Sequence, residues 1–149
     1  MLFKDRLLRG ALAGIIASLF MLAWNLFSYY ILHFVEVTWL ESLSQLVLGQ
    51  PAKDISDFFA AFGSLIIWNG FLGVIFVSFI IPERSGSYLG RAVCFGYVIW
   101  FFLYSLGTLY KVETLDIVSP ATVFSNWIAV MIYGIVLGWI TKWWDTHEA

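Results

Sequence analysis

Two Trp-Asn pairs, Trp24-Asn25 and Trp68-Asn69, are the most distinctive polar residues in this chain. Each lies deep in a stretch without Asp, Glu, Lys or Arg. An amide in an apolar medium without a partner costs roughly 2–7 kcal/mol. If the two stretches run antiparallel, both asparagines arrive at similar depth. The simplest arrangement is then an Asn25–Asn69 hydrogen bond, worth on the order of 1 kcal/mol between membrane helices. Two readings stay open: structural glue, or a polar site inside a bundle lined by Trp24 and Trp68. A second constellation is His33, Glu36, Asp54 and Asp57. His33 and Glu36 are three apart and would share a helical face. With the aspartates, or with Glu113 or Asp116, they offer nitrogen and oxygen donors to an outer cation or a protein partner. Asp54 and Asp57 equally suit the cap and first turn of a helix. No cofactor or metal identity follows from either set.

The absences narrow the chemistry. There is no HExxH, Walker loop, dinucleotide fingerprint or CxxC pair. The only histidines, His33 and His147, are expected on opposite sides of a membrane, so no Ser–His–Asp set is credible. Cys94 is the single cysteine and cannot form an internal disulfide; a buried structural thiol is expected.

The elements that carry these residues follow from composition. Of 149 residues, 61% are hydrophobic and 12% charged. An ordinary soluble domain carries about 25% charge. This balance excludes a disordered chain, a basic nucleic-acid binder and a disulfide scaffold. Residues 10–35, 58–81, 92–110 and 117–140 are free of Asp, Glu, Lys and Arg. A hydrocarbon core of roughly 30 Å takes about 20 helical residues. Barrel strands would alternate in polarity, and these runs do not. The first run is longer than the apolar part of a cleaved leader, with Ala11, Ala13 and Ala17 at its wrong end, so it is read as a retained span.

The sequence therefore predicts an all-α membrane protein: a four-transmembrane-helix bundle, one domain over residues 1–149, with spans near 10–35, 58–81, 92–110 and 120–143. Ser119-Pro120 is a natural start for the last span, with Ser125-Asn126 as a rival. Pro82 should end the second span. The short loop after it, loosened by Gly86 and Gly90, predicts the second and third spans as antiparallel neighbours.

Between the first two spans, Trp39, Leu40, Leu43, Leu46 and Val47 recur at helical spacing. Glu41, Ser42, Ser44 and Gln45 lie opposite, and Gly49 and Pro51 follow. This is a short outer amphipathic helix. The favoured reading lays its apolar face in lipid at the interface; the alternative closes it over the bundle.

Lys4, Arg6, Arg9, Arg84, Arg91 and Lys142 fall on one side of this layout, and only Lys53 and Lys111 on the other. The positive-inside rule places both termini in the cytoplasm. Gly10 and Gly14 in the first span, and Gly134 and Gly138 in the last, form four-residue small-side-chain stripes suited to close helix packing, including contact with another membrane protein.

The chain resembles the small YqhR-like integral membrane proteins of spore-forming Gram-positive bacteria. The resemblance is carried by Gly10 and Gly14, Tyr29-Tyr30, Phe34-Val35-Glu36 and Tyr133-Gly134 with Gly138. It implies a bacterial cell-membrane setting, a multi-pass chain and no catalytic residues. The leading functional expectation is a non-enzymatic accessory or scaffolding protein that self-associates or meets another membrane protein, with lipids as partners and no nucleic acid. A small transporter or channel subunit using Asn25 and Asn69 is the alternative. A membrane-embedded enzyme comes third.

Overall fold

The computed structural model describes residues 5–81, 86–116 and 118–147, apart from the side chain of Asp116. Lys4, Pro82, Arg84 and the side chain of Asp116 lie outside the described set. The regular secondary structure of the described residues is all helical: α1 (Arg6–Phe27), α2 (Trp39–Leu48), α3 (Ile55–Ile75), α4 (Tyr88–Leu109), the single turn α5 (Glu113–Asp116) and α6 (Pro120–His147). α1 and α3 each run on through one widened turn, Ser28–Leu32 and Phe76–Ile80. Among the described residues, four helices are long and apolar enough to cross a membrane: Arg6–Leu32, Ile55–Ile80, Tyr88–Leu109 and Pro120–His147. Their outward faces carry side chains such as Phe79 and Phe101, 81% and 69% exposed. Such faces are tolerable only in lipid, so the chain is a multi-pass membrane protein.

The helices lie in the order α3, α1, α6, α4 across the bundle. This corrects the expectation that the second and third spans are neighbours. α3 and α4 meet appreciably only where the turn Phe76–Ile80 reaches α4, with the Phe76 and Phe95 rings 5.5 Å apart. The reason lies in the small-residue stripes. Lipid tails are as apolar as leucine, so helices associate where backbones approach closely. A Cβ on Gly10 would sit 2.8 Å from the Gly73 carbonyl oxygen, and one on Gly14 would overlap the Asn69 carbonyl. On the other side, a Cβ on Gly134 would meet Val93 Cα at 2.6 Å, and one on Gly138 the Tyr88 carbonyl at 2.9 Å. α1 is thus bound to α3 and α6 to α4. Both stripes are used inside the chain rather than presented to a partner.

The start of α1 and the end of α6 lie at the same end of the bundle. There the Arg91 guanidinium donates to the Ile80 carbonyl at 3.1 Å, and Arg6 donates to the Ile81 carbonyl. Two cations thus neutralise the carbonyl end of α3, where the helix dipole is negative. The Tyr88 hydroxyl donates to Asp145 at 2.9 Å and ties α4 to α6. Cys94 is exposed on the bundle surface rather than buried, because α4 turns its Ala92 and Gly96 side toward α6.

At the opposite end, α6 begins at Pro120, with Ser119 Oγ accepting from the Thr122 N–H at 3.3 Å. The rival start, Ser125-Asn126, is instead buried inside α6. Ser125 Oγ donates to Ser28 Oγ at 2.6 Å, and Trp24 Nε1 donates to the Ser125 carbonyl at 3.1 Å. These bonds fasten α1 to α6 through the polar groups that a low-dielectric core rewards when paired.

Replacing Gly14 or Gly73 by alanine should lower the melting temperature in detergent, since each added methyl meets backbone; overpacking typically costs 1–3 kcal/mol. Gly63→Ala, with nothing within 4 Å of its added methyl, should leave it unchanged or raised. Fluorescence-detected size-exclusion chromatography after heating reads the difference.

Candidate functional site

The separation of α3 from α4 leaves a gap, and α2 lies across it. α2 packs on α3 and α5. Leu40 is 2% exposed and joins Leu22 and Leu65 in a small core beneath the helix. The favoured interfacial placement therefore gives way to the alternative: α2 covers the bundle. Its start is held twice. Thr38 caps it, with the Thr38 hydroxyl accepting from the Glu41 N–H and Glu41 accepting from the Thr38 N–H at 2.8 Å. This Thr-x-x-Glu capping box is a sequence signature that the periodicity argument passed over. The second hold is Asn25, whose Oδ1 accepts from the Trp39 N–H at 2.8 Å. Gly49 closes the helix with φ of 73°. Gln45 then bridges to α5, its Oε1 accepting from the Thr114 N–H at 3.2 Å.

Under α2 are two chambers of opposite character. The first is an apolar cavity of about 470 Å³ between α3 and α4, within the roughly 300–1,000 Å³ of small-molecule sites. Leu43, Leu46 and Val47 of α2 roof it. Leu65, Trp68 and Leu72 of α3 face Ile99, Trp100 and Leu103 of α4 across it, and Tyr133 of α6 contributes to its wall. Two polar atoms on its lining residues, Trp100 Nε1 and the Tyr133 hydroxyl, are buried without a hydrogen-bond partner among the described residues. The second chamber is a polar pocket of about 190 Å³, bordered by Asn25, Glu36, Ser42, Tyr104, Glu113 and Asn126 among others. Trp39 lines both chambers.

This division explains an anomaly in α2. Ser42 and Ser44, placed by periodicity on the outward polar face, are 4% and 0% exposed. Ser44 Oγ donates to the Gln50 carbonyl at 3.1 Å, and Ser42 borders the polar pocket. Leu46 and Val47 keep 40% and 48% exposure at the mouth of the apolar cavity. The helix has one side for each chamber and no purely aqueous face.

The Trp-Asn pairs do not form one site. Asn69 Nδ2 donates to the Leu65 carbonyl of its own helix at 2.9 Å, while Asn25 holds α2. The glycine seam sets the register: Asn69 packs at the level of Gly14, and from Gly14 to Asn25 is about 16 Å along α1 at roughly 1.5 Å per residue. The first span runs from Arg6 to Leu32 rather than over 10–35, so Asn25 lies in its second half, whereas Asn69 stays near the middle of Ile55–Ile80. Trp24 points to α6, whereas Trp68 is 43% exposed beside the cleft.

The set of His33, Glu36, Asp54 and Asp57 is likewise dispersed. α1 stops at Leu32, and His33 closes it in the left-handed region with φ of 52°, so His33 and Glu36 share no helical face. Asp57 Oδ2 accepts from the Lys53 N–H at 3.0 Å, while Asp54, in the cap position of α3, makes no side-chain cap bond. Among the described residues, no group of three His, Cys, Asp or Glu side chains is placed to hold a metal ion.

Sequence reasoning missed Ser42, Tyr104, Thr122 and Asn126. Thr122 Oγ1 donates to the Phe34 carbonyl at 3.2 Å, and Asn126 Nδ2 donates to the Tyr104 hydroxyl. The available signal was an Asn and a Tyr toward one end of charge-free spans, whereas Asn25 stood out only through the repeated Trp-Asn pair. No protein-family model, curated protein or solved structure matches the chain.

Removing the Asn25 amide leaves the Trp39 N–H without an acceptor, a loss of about 1–3 kcal/mol for a buried donor. Asn25→Ala should accelerate amide hydrogen exchange across residues 39–48. Asn69→Ala should not change exchange there. Equal acceleration by both would show that the two asparagines act together after all.

Proposed function

We propose that the chain is a non-enzymatic accessory protein of the cell membrane that holds an acyl chain of a membrane lipid between α3 and α4, beneath α2. The observation that carries this reading is the apolar cavity in a gap between two spans that do not pack together. Lipid surrounds such a gap, so a hydrocarbon chain enters sideways without crossing water. Burial of that chain is not favoured over bulk lipid by the hydrophobic effect, since lipid tails are themselves apolar. Selectivity must come from shape and from polar atoms. The Trp100 indole N–H and the Tyr133 hydroxyl supply the latter: small side-chain shifts would let them donate to an ester or hydroxyl oxygen, recovering bonds they otherwise lack. The lysine and arginine distribution supports cytoplasmic termini, which puts α2 and both chambers at the outer leaflet. The protein would present or sequester a lipid for a partner rather than transform it.

A phospholipid bearing a photoreactive diazirine in its acyl chain, incorporated before purification, tests the reading. Labelling should concentrate on peptides covering residues 39–47, 64–72 and 96–103. Ile67→Trp together with Leu103→Trp should reduce it several-fold by filling the cavity. Labelling spread evenly over outward residues such as Phe79 and Trp139 would mean that only surrounding bulk lipid had been detected.

A further inference from the structure

The polar pocket is a separate construction. We infer that it is a binding site for a small organic ammonium group. Three of its bordering side chains are more than nine-tenths buried: Asn25, Ser42 and Asn126, at 3%, 4% and 7% exposure. Each retains unused hydrogen-bonding capacity among the described residues. Asn25 uses Oδ1 on Trp39 but has no acceptor for Nδ2. Asn126 uses Nδ2 on Tyr104, leaving Oδ1. Ser42 Oγ has no protein partner. On the same wall Thr114 Oγ1 is buried with no hydrogen-bond partner among the described residues; buried polar groups are normally satisfied, so this space calls for a polar occupant.

The chemistry of the wall selects the occupant. Glu36 and Glu113 border the pocket as exposed carboxylates, and no Lys, Arg or His lines it. A phosphate or carboxylate would meet like charge with no compensating cation. An ammonium would meet two carboxylates, the Asn126 carbonyl oxygen and the Ser42 hydroxyl as acceptors. Trp39 and Tyr104 add aromatic rings to the same wall. Cation–π contact with such rings is a recurring way to hold an organic ammonium. The unused Asn25 donor suits a hydroxyl or ester oxygen on the stem beside the nitrogen. A volume of about 190 Å³ admits an amino alcohol but not a large headgroup. The ammonium can come from a free amine or from the headgroup of an aminophospholipid. The site does not depend on the acyl-chain reading, because a free amine needs no tail.

The test uses the full chain in a neutral maltoside detergent. Ethanolamine is titrated by calorimetry, with ethylene glycol as the uncharged counterpart and calcium chloride as the inorganic cation. In parallel, native mass spectrometry follows retention of an ethanolamine phospholipid against a glycerol phospholipid. Saturable ethanolamine binding, absent for ethylene glycol and weakened at least tenfold in the double variant Glu36→Gln, Glu113→Gln, supports a site for free amines. Selective retention of the ethanolamine phospholipid alone, lost in the same variant, supports the lipid source. Ser42→Ala should weaken whichever probe binds by about threefold. The inference is overturned if neither probe binds, if ethylene glycol binds as well as ethanolamine, if calcium alone binds, or if the double variant binds like the parent. Both glutamates are exposed, so the variant is expected to keep the fold; an unchanged elution volume checks that. Loss of acyl-chain labelling with ethanolamine binding intact would remove the lipid reading and leave this one standing.

Discussion

Backbone contact at glycine is the constraint on which the rest depends. In lipid, one apolar helix surface is no better than another, and association follows the places where two helices can come closest. Gly10, Gly14 and Gly73 lock α1 to α3, and Gly134 and Gly138 lock α6 to α4. The two pairs are then fastened to each other through α1 and α6 by Ser28, Ser125 and the Trp24 indole. With these contacts made, α3 and α4 are left facing each other across the open side of the bundle. Only 22% of the most apolar stretch of α4 is buried, against 50% for α6. The cleft is therefore a consequence of where the glycines sit.

α2 converts that cleft into two chambers. A ten-residue helix is marginal alone in water, so its position must come from tertiary contacts and caps. The Thr38–Glu41 box, the Asn25 side chain and the Gln45 bridge to α5 supply them. Asn25 is the most consequential, because it joins a transmembrane helix to the first turn of the covering helix. The same residue borders the polar pocket, and Trp39, whose backbone it holds, borders both chambers. Any shift of α2 would alter the two spaces together.

The contrast between the chambers has a simple electrostatic basis. The apolar one lies between spans, where ionisable groups are expensive. The polar one lies at the helix ends, where the chain must turn and where Glu36 and Glu113 can remain exposed. The connecting segments at this end of the bundle carry a net negative charge in the sequence, which attracts cations and repels anions before any contact is made. The widened turn at Ser28–Leu32 adjoins this end of the bundle, and such turns recur at functional sites in helical proteins.

Composition and periodicity were enough to establish four apolar helices, a short helix over residues 39–48, its Gly49 terminus and the start of α6 at Pro120. These are local properties: a charge-free run must be helical in lipid, and caps are read within a few residues. The glycine stripes were visible too, but not their partners, because many helix faces offer a similar groove. The pairing of Asn25 with Trp39, the separation of Asn25 from Asn69, and the burial of Ser42, Ser44 and Asn126 arose only from three-dimensional packing. A hydrogen bond between residues distant in the chain depends on helix register, and register is set by the sum of contacts along a seam. No short pattern in the chain encodes that sum, so the residues that could do chemistry were recognisable one by one while the site they build was not.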